Sequence, residues 1–80
     1  MIDVIVLSSE AMLFEGKATR VILPGEQGVF EVYLLHRPLV SRLLPGAVIV
    51  DGKVLPIRRG VVKVGRNSVT ALVEPAAPSA

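Results

Sequence analysis

No aliphatic run in this chain is longer than four residues, the length of Val4-Ile5-Val6-Leu7 and of Ala47-Val48-Ile49-Val50. Glycine, proline, asparagine or aspartate repeatedly interrupts these β-branched stretches, at the spacing of about 8–12 residues that marks short strands in a sandwich or barrel. The one segment that could compete as a helix is Val32–Leu44, where Leu35, Leu39 and Leu43 recur every fourth residue. Pro38 lies inside it, and a proline there removes a backbone donor and clashes with the preceding turn, at a cost of about 3 kcal/mol. The chain is therefore expected to be all-β, a flattened β-sandwich or barrel of about eight to ten short strands. Strands are predicted near Ile2–Leu7, Met12–Phe14, Lys17–Leu23, Val29–Tyr33, Leu39–Leu43, Ala47–Val50, Val54–Ile57, Gly60–Val64 and Ser68–Val73.

Local chemistry sharpens several connections. Asp51-Gly52 suits a two-residue hairpin turn in which both residues take positive φ, and Gly65-Arg66-Asn67 suits a slightly longer one. The glycines of Gly25-Glu26-Gln27-Gly28 are expected to permit positive φ in a tight strand connection. Leu23-Pro24-Gly25 and Leu44-Pro45-Gly46 read as corners, and a short turn fits His36–Pro38. Arg58-Arg59 is expected at a strand end, facing solvent or a partner's acid. One domain is expected over residues 1–74, with a disordered tail over residues 75–80.

Hydrophobic residues make up 51% of the 80, and mean hydropathy is +0.61. A domain this small removes only about 60% of its unfolded surface from water. Some apolar surface should therefore form a contiguous exposed patch of the kind that marks an interface. Nine Lys and Arg against seven Asp and Glu leave a net charge of +2, too small an asymmetry to argue for nucleic acid. Without cysteine there is no disulfide framework or thiolate site. The N-terminus shows no secretory-signal pattern.

Catalysis has little to stand on. His36, the single histidine, could in principle meet Ser8, Ser9, Ser41 or Ser68 and Asp3 or Asp51, but no Gly-x-Ser-x-Gly elbow is present. A histidine without cysteine or a nearby carboxylate pair makes no metal site, and Gly25–Gly28 is followed by neither the Lys-Ser/Thr nor the helix of a phosphate loop. No cofactor is implied. The residues leave two binding roles open: a β-sandwich adaptor for another protein, and a small nucleic-acid-binding barrel with Phe14, Phe30 and Tyr33 as its stacking groups.

Val21-Ile22-Leu23-Pro24-Gly25-Glu26-Gln27-Gly28, then Val32, His36-Arg37-Pro38-Leu39 and Leu44-Pro45-Gly46, resemble the N-terminal β domain of the epsilon subunit of F-type ATP synthases, called delta in mitochondria. The likeness runs from residue 2 to residue 74, ending in Asn67-Ser68-Val69-Thr70-Ala71-Leu72-Val73-Glu74. It implies a non-catalytic rotor subunit on the cytoplasmic face of the bacterial plasma membrane, linking the gamma subunit to the membrane c-ring. By position, it implies Ser8, His36 and Ser41 near gamma, and Glu26, Gln27 and Gly28 toward the c-ring. Three departures stand out. Glu31 replaces a family glycine, Leu34-Leu35-His36 replaces Pro-x-His, and these 80 residues are not expected to form the family's C-terminal helical domain.

Overall fold

The computed structural model describes residues 1–76 and is built entirely from strands and their connections. Eight strands follow one another: β1 Ile2–Leu7, β2 Met12–Ala18, β3 Val21–Gly25, β4 Gly28–Val32, β5 Leu39–Leu43, β6 Gly46–Val50, β7 Lys53–Val64 and β8 Ser68–Pro75. Their hydrogen-bonded order is β2-β1-β8-β7-β5-β3-β4, with β6 joining β3 to β7. All pairs are antiparallel except β1 with β8, which run parallel with Val4 beside Val69 and Val6 beside Ala71.

β7 holds the two halves of the fold together. Its first part, from Lys53 to Ile57, pairs with β6, and Gly60–Val64 pairs with β5, while β8 runs along its far side with a register shift between Ile57 and Arg59. The expected strands Val54–Ile57 and Gly60–Val64 are thus one 12-residue element. Arg58-Arg59 sits in its middle, where a bulge shifts the register with β8 without breaking the ladder. The partner acid of these arginines is internal. Arg59 Nε lies 2.6 Å and Arg58 Nη1 3.8 Å from the Glu74 carboxylate.

Alternation of side chains across the pleat places Ile2, Val4 and Val6 of β1 and Val69, Ala71 and Val73 of β8 inside, where they meet Val21, Leu23, Leu43, Val48, Val62 and Val64. No polar or charged residue is buried among the described residues. Every charge therefore stays hydrated, and the interior is held by apolar burial worth about 1.5–3 kcal/mol per large side chain.

The two Leu-Pro-Gly segments behave differently. Leu23-Pro24-Gly25 is not a corner but the buried end of β3, whereas Leu44-Pro45 bends the chain from β5 into β6. They meet in space, since the Leu44 N–H donates to the Pro24 carbonyl at 2.8 Å. At the far end, Pro75 closes β8 opposite Ile57, and the Ala76 N–H donates to the Pro56 carbonyl. The remainder of the expected tail lies outside the described residues.

Candidate functional site

Glu26, Gln27, Gly28, His36 and Ser41 line one recess of about 440 Å3, together with Gly25, Val29, Phe30, Leu39 and Val40. Two elements bring them together. The β3–β4 hairpin supplies the exposed Glu26-Gln27 tip, and β5 with the segment before it supplies His36 and Ser41. The glycines of the tip have separate jobs. Gly28 takes φ of 121°, which side chains disfavour. Gly25 does not; a Cβ there would fall 2.7 Å from the Phe30 ring, so its role is to admit that ring.

The chain reaches His36 through a tight turn at Leu34-Leu35, two residues ahead of the expected His36–Pro38 turn. The His36 N–H closes it on the Tyr33 carbonyl at 3.2 Å, and the Leu35 N–H donates to the Arg66 carbonyl at 2.8 Å. Leu35 has φ of 63°. His36 Nδ1 lies 2.6 Å from the Arg37 carbonyl; a carbonyl only accepts, so Nδ1 carries a proton and donates it there. The position where a catalytic carboxylate would orient the imidazole is taken by main chain. Ser41 Oγ donates to the Arg42 carbonyl at 2.8 Å. Asp3 pairs with Lys17 at 2.8 Å, and Asp51 accepts from the Thr19 and Arg20 N–H groups.

Ser8 lies elsewhere. It lines an open groove of about 1080 Å3 together with Ala11, Leu13, Leu44, Val61 and Leu72. Its Oγ accepts the Glu10 and Ala11 N–H groups and so shapes the β1–β2 connection. Exposed apolar residues lie both along this groove, at Leu44, Val61 and Leu72, and at the recess and the turn beside it, at Val29, Val40, Leu34 and Leu35. Val29 and Val40 of the recess are 72% and 75% exposed, the most open of the large hydrophobic residues described. Neither was singled out by sequence, because alternation says which side of a strand a residue takes but not whether that side is covered.

Glu31 also acquires a partner set. Its carboxylate accepts from the Tyr33 hydroxyl and faces Arg20 at 3.9 Å, bracing the strand end that leads into the Leu34-Leu35 turn. In Asp51, main-chain N–H groups of Thr19 and Arg20 hold the carboxyl below its usual range. The Arg59 guanidinium does the same for Glu74, and Lys17 for Asp3.

Residues 1–79 match the family described as "ATP synthase, Delta/Epsilon chain, beta-sandwich domain". The chain is 40% identical over 80 residues to an ATP synthase epsilon chain of Polaromonas naphthalenivorans, covering 94% of this chain and 58% of that one. It is 40% identical over 78 residues to that of Nitratiruptor sp., covering 91% and 60%. It therefore spans less than two thirds of the length of these relatives. Among solved structures, a chain of the Euglena gracilis mitochondrial ATP synthase superposes with a TM-score of 0.83 at 20% identity, over 96% of this chain and 52% of that one. A chain of the Tetrahymena thermophila mitochondrial ATP synthase central stalk and c-ring does so at 0.75 and 14%, over 91% and 63%. At such identities the structural likeness concerns the fold.

Proposed function

From the premise that this chain belongs to the ATP synthase delta/epsilon β-sandwich family, we propose that it is the β-sandwich module of a central-stalk subunit. In this reading it joins the gamma subunit to the c-ring and passes torque between them without making or breaking bonds. The work takes place peripherally, at the cytoplasmic face of a bacterial plasma membrane. The observation that carries the reading is the convergence of Glu26, Gln27, Gly28, His36 and Ser41 on one recess. The polar tip offered to the c-ring and the residues offered to gamma then lie on adjoining strands, β3 pairing with β5 where Gly25 meets Leu43. Force crossing from one partner to the other has a short path through hydrogen-bonded backbone. Ser8, in the separate groove, marks a second place for gamma to contact the domain.

The test is reconstitution. ATP synthase depleted of this subunit is returned to liposomes with and without the chain, and ATP synthesis driven by an ion gradient is measured. The chain should restore synthesis. A double Glu26→Ala, Gln27→Ala variant, which leaves Gly28 and hence the turn intact, should restore less while still folding. A chain that neither associates with the enzyme nor improves synthesis would rule the reading out.

A further inference from the structure

We infer that Leu35 is an apolar anchor that seats this domain on the gamma subunit, and that its turn holds a strained backbone in order to present it. The inference rests on the rotor reading above. It starts from a mismatch between residue and conformation. Leu35 takes φ of 63°, a region where glycine or asparagine is favoured and a Cβ crowds the following carbonyl. Strain of this kind persists where surrounding structure over-determines it, and it concentrates at functional surfaces.

Here the over-determining contacts are main-chain ones. The turn is closed by the His36 N–H on the Tyr33 carbonyl and latched by the Leu35 N–H on the Arg66 carbonyl. Both bonds would survive any side chain at position 35 except proline, which lacks the N–H that Leu35 donates. The leucine side chain gives the fold little in return, since the residue is 64% exposed. Glycine or asparagine would make the same turn with less strain, so the leucine serves something outside the fold.

Its surroundings indicate what that is. Tyr33 and Leu34 are each 49% exposed, and with Leu35 they form a contiguous apolar tip braced at its base by the Glu31–Tyr33 hydrogen bond. Arg37 and Arg66 flank the tip, both exposed, and neither joins an ion pair among the described residues. An apolar tip ringed by uncommitted cations fits a protein surface with an apolar depression and carboxylates at its edge. The next residue is His36, which lines the recess, and this makes the tip continuous with the surface proposed to meet gamma.

The experiment measures stability and affinity on the same variants of the 80-residue chain. Wild type, Leu35→Asn and Leu35→Gly are melted alone and titrated calorimetrically against a gamma-containing subcomplex, with sedimentation of the chain by itself as a control. Leu35→Asn should melt at or above the wild-type temperature, yet bind gamma about tenfold or more weakly, the loss that goes with one large apolar contact. Arg66→Glu should also weaken binding, more so at low salt. Wild-type binding matched by Leu35→Asn would overturn the anchor alone, as would a lower melting temperature for Leu35→Asn, which would show that the leucine serves the fold. Self-association abolished by Leu35→Asn, with gamma binding unaffected, would assign the tip to a second copy and overturn the proposal. A wild-type chain that does not bind gamma at all would sink the rotor reading together with the anchor.

Discussion

The β6–β7 turn and the Tyr33–His36 turn both place backbone in the left-handed region, at Asp51 and Gly52 in the first and at Leu35 in the second. In the first, residue type and conformation agree, since Asp-Gly is the pair that a two-residue hairpin with positive φ prefers. Asp51 adds a second service. Its carboxylate gathers the Thr19 and Arg20 N–H groups, and its own N–H donates to the Arg20 carbonyl, tying the β2–β3 connection to the β6–β7 hairpin. In the second turn residue and conformation disagree, and the side chain faces solvent. One turn is built for the fold and the other for a surface, and the mismatch is what separates them.

The largest effect should come from breaking the agreement in the first turn. Gly52→Val forces a β-branched residue to φ near 86° and should cost about 2 kcal/mol, lowering the melting temperature by about 10 °C in a domain of this size. Thermal unfolding followed by circular dichroism would show it, and an unchanged melting temperature would mean that the turn is not fixed as described.

Repairing the second turn should act in the opposite direction. Leu34 occupies the second position of the Tyr33–His36 turn, where proline is favoured, and its N–H takes no part in the turn's hydrogen bonds. Leu34→Pro should therefore raise stability by about 0.5–1 kcal/mol, measurable as a higher denaturant midpoint. A loss instead would show that Leu34 packs into the fold.

The smallest effect concerns charge. Because the folded Asp51 carboxyl sits below its ordinary value, its contribution is present above the unfolded value of about 4 and is lost as pH falls through the folded one. Asp51→Asn keeps a turn-favouring pair but removes the charge. Its denaturation midpoint should fall below wild type near neutral pH and converge with it in acid, once the pH lies below the folded carboxyl's lowered value. A gap that persists in acid would assign the role to shape alone.

This contrast also explains what could be read in advance. The Asp51-Gly52 hairpin, the all-β class and the grouping of Glu26–Gly28 in a tight connection were legible because local residue preference and final conformation coincide there. The merger of residues 53–64 was not, since Pro56 and Gly60 on either side of Arg58-Arg59 read as a break between two strands, whereas a bulge keeps both segments in one ladder. The parallel β1–β8 pair joins strands from opposite ends of the chain, and periodicity gives a strand's faces but not its neighbours. Family resemblance named His36, Ser41 and the Glu26–Gly28 tip as candidate contacts, and the structure adds that they share a recess that Ser8 does not line. Leu35 escaped notice because nothing in leucine predicts a left-handed turn. The available signal was indirect: Leu34 stands where the resembling family has proline, a residue suited to that very turn.

Backbone hydrogen exchange on the chain, free and bound to the gamma and c-ring rotor, tests the central claim most directly, since it reads both turns in one experiment. Docking through the recess and its apolar tip predicts slowed exchange at residues 26–29 and 33–41 on binding, with the Asp51-Gly52 turn exchanging as it does in the free chain. Binding that protects Asp51-Gly52 and leaves residues 33–36 unchanged would contradict the account, because the turn assigned to the fold would then be the one in the interface.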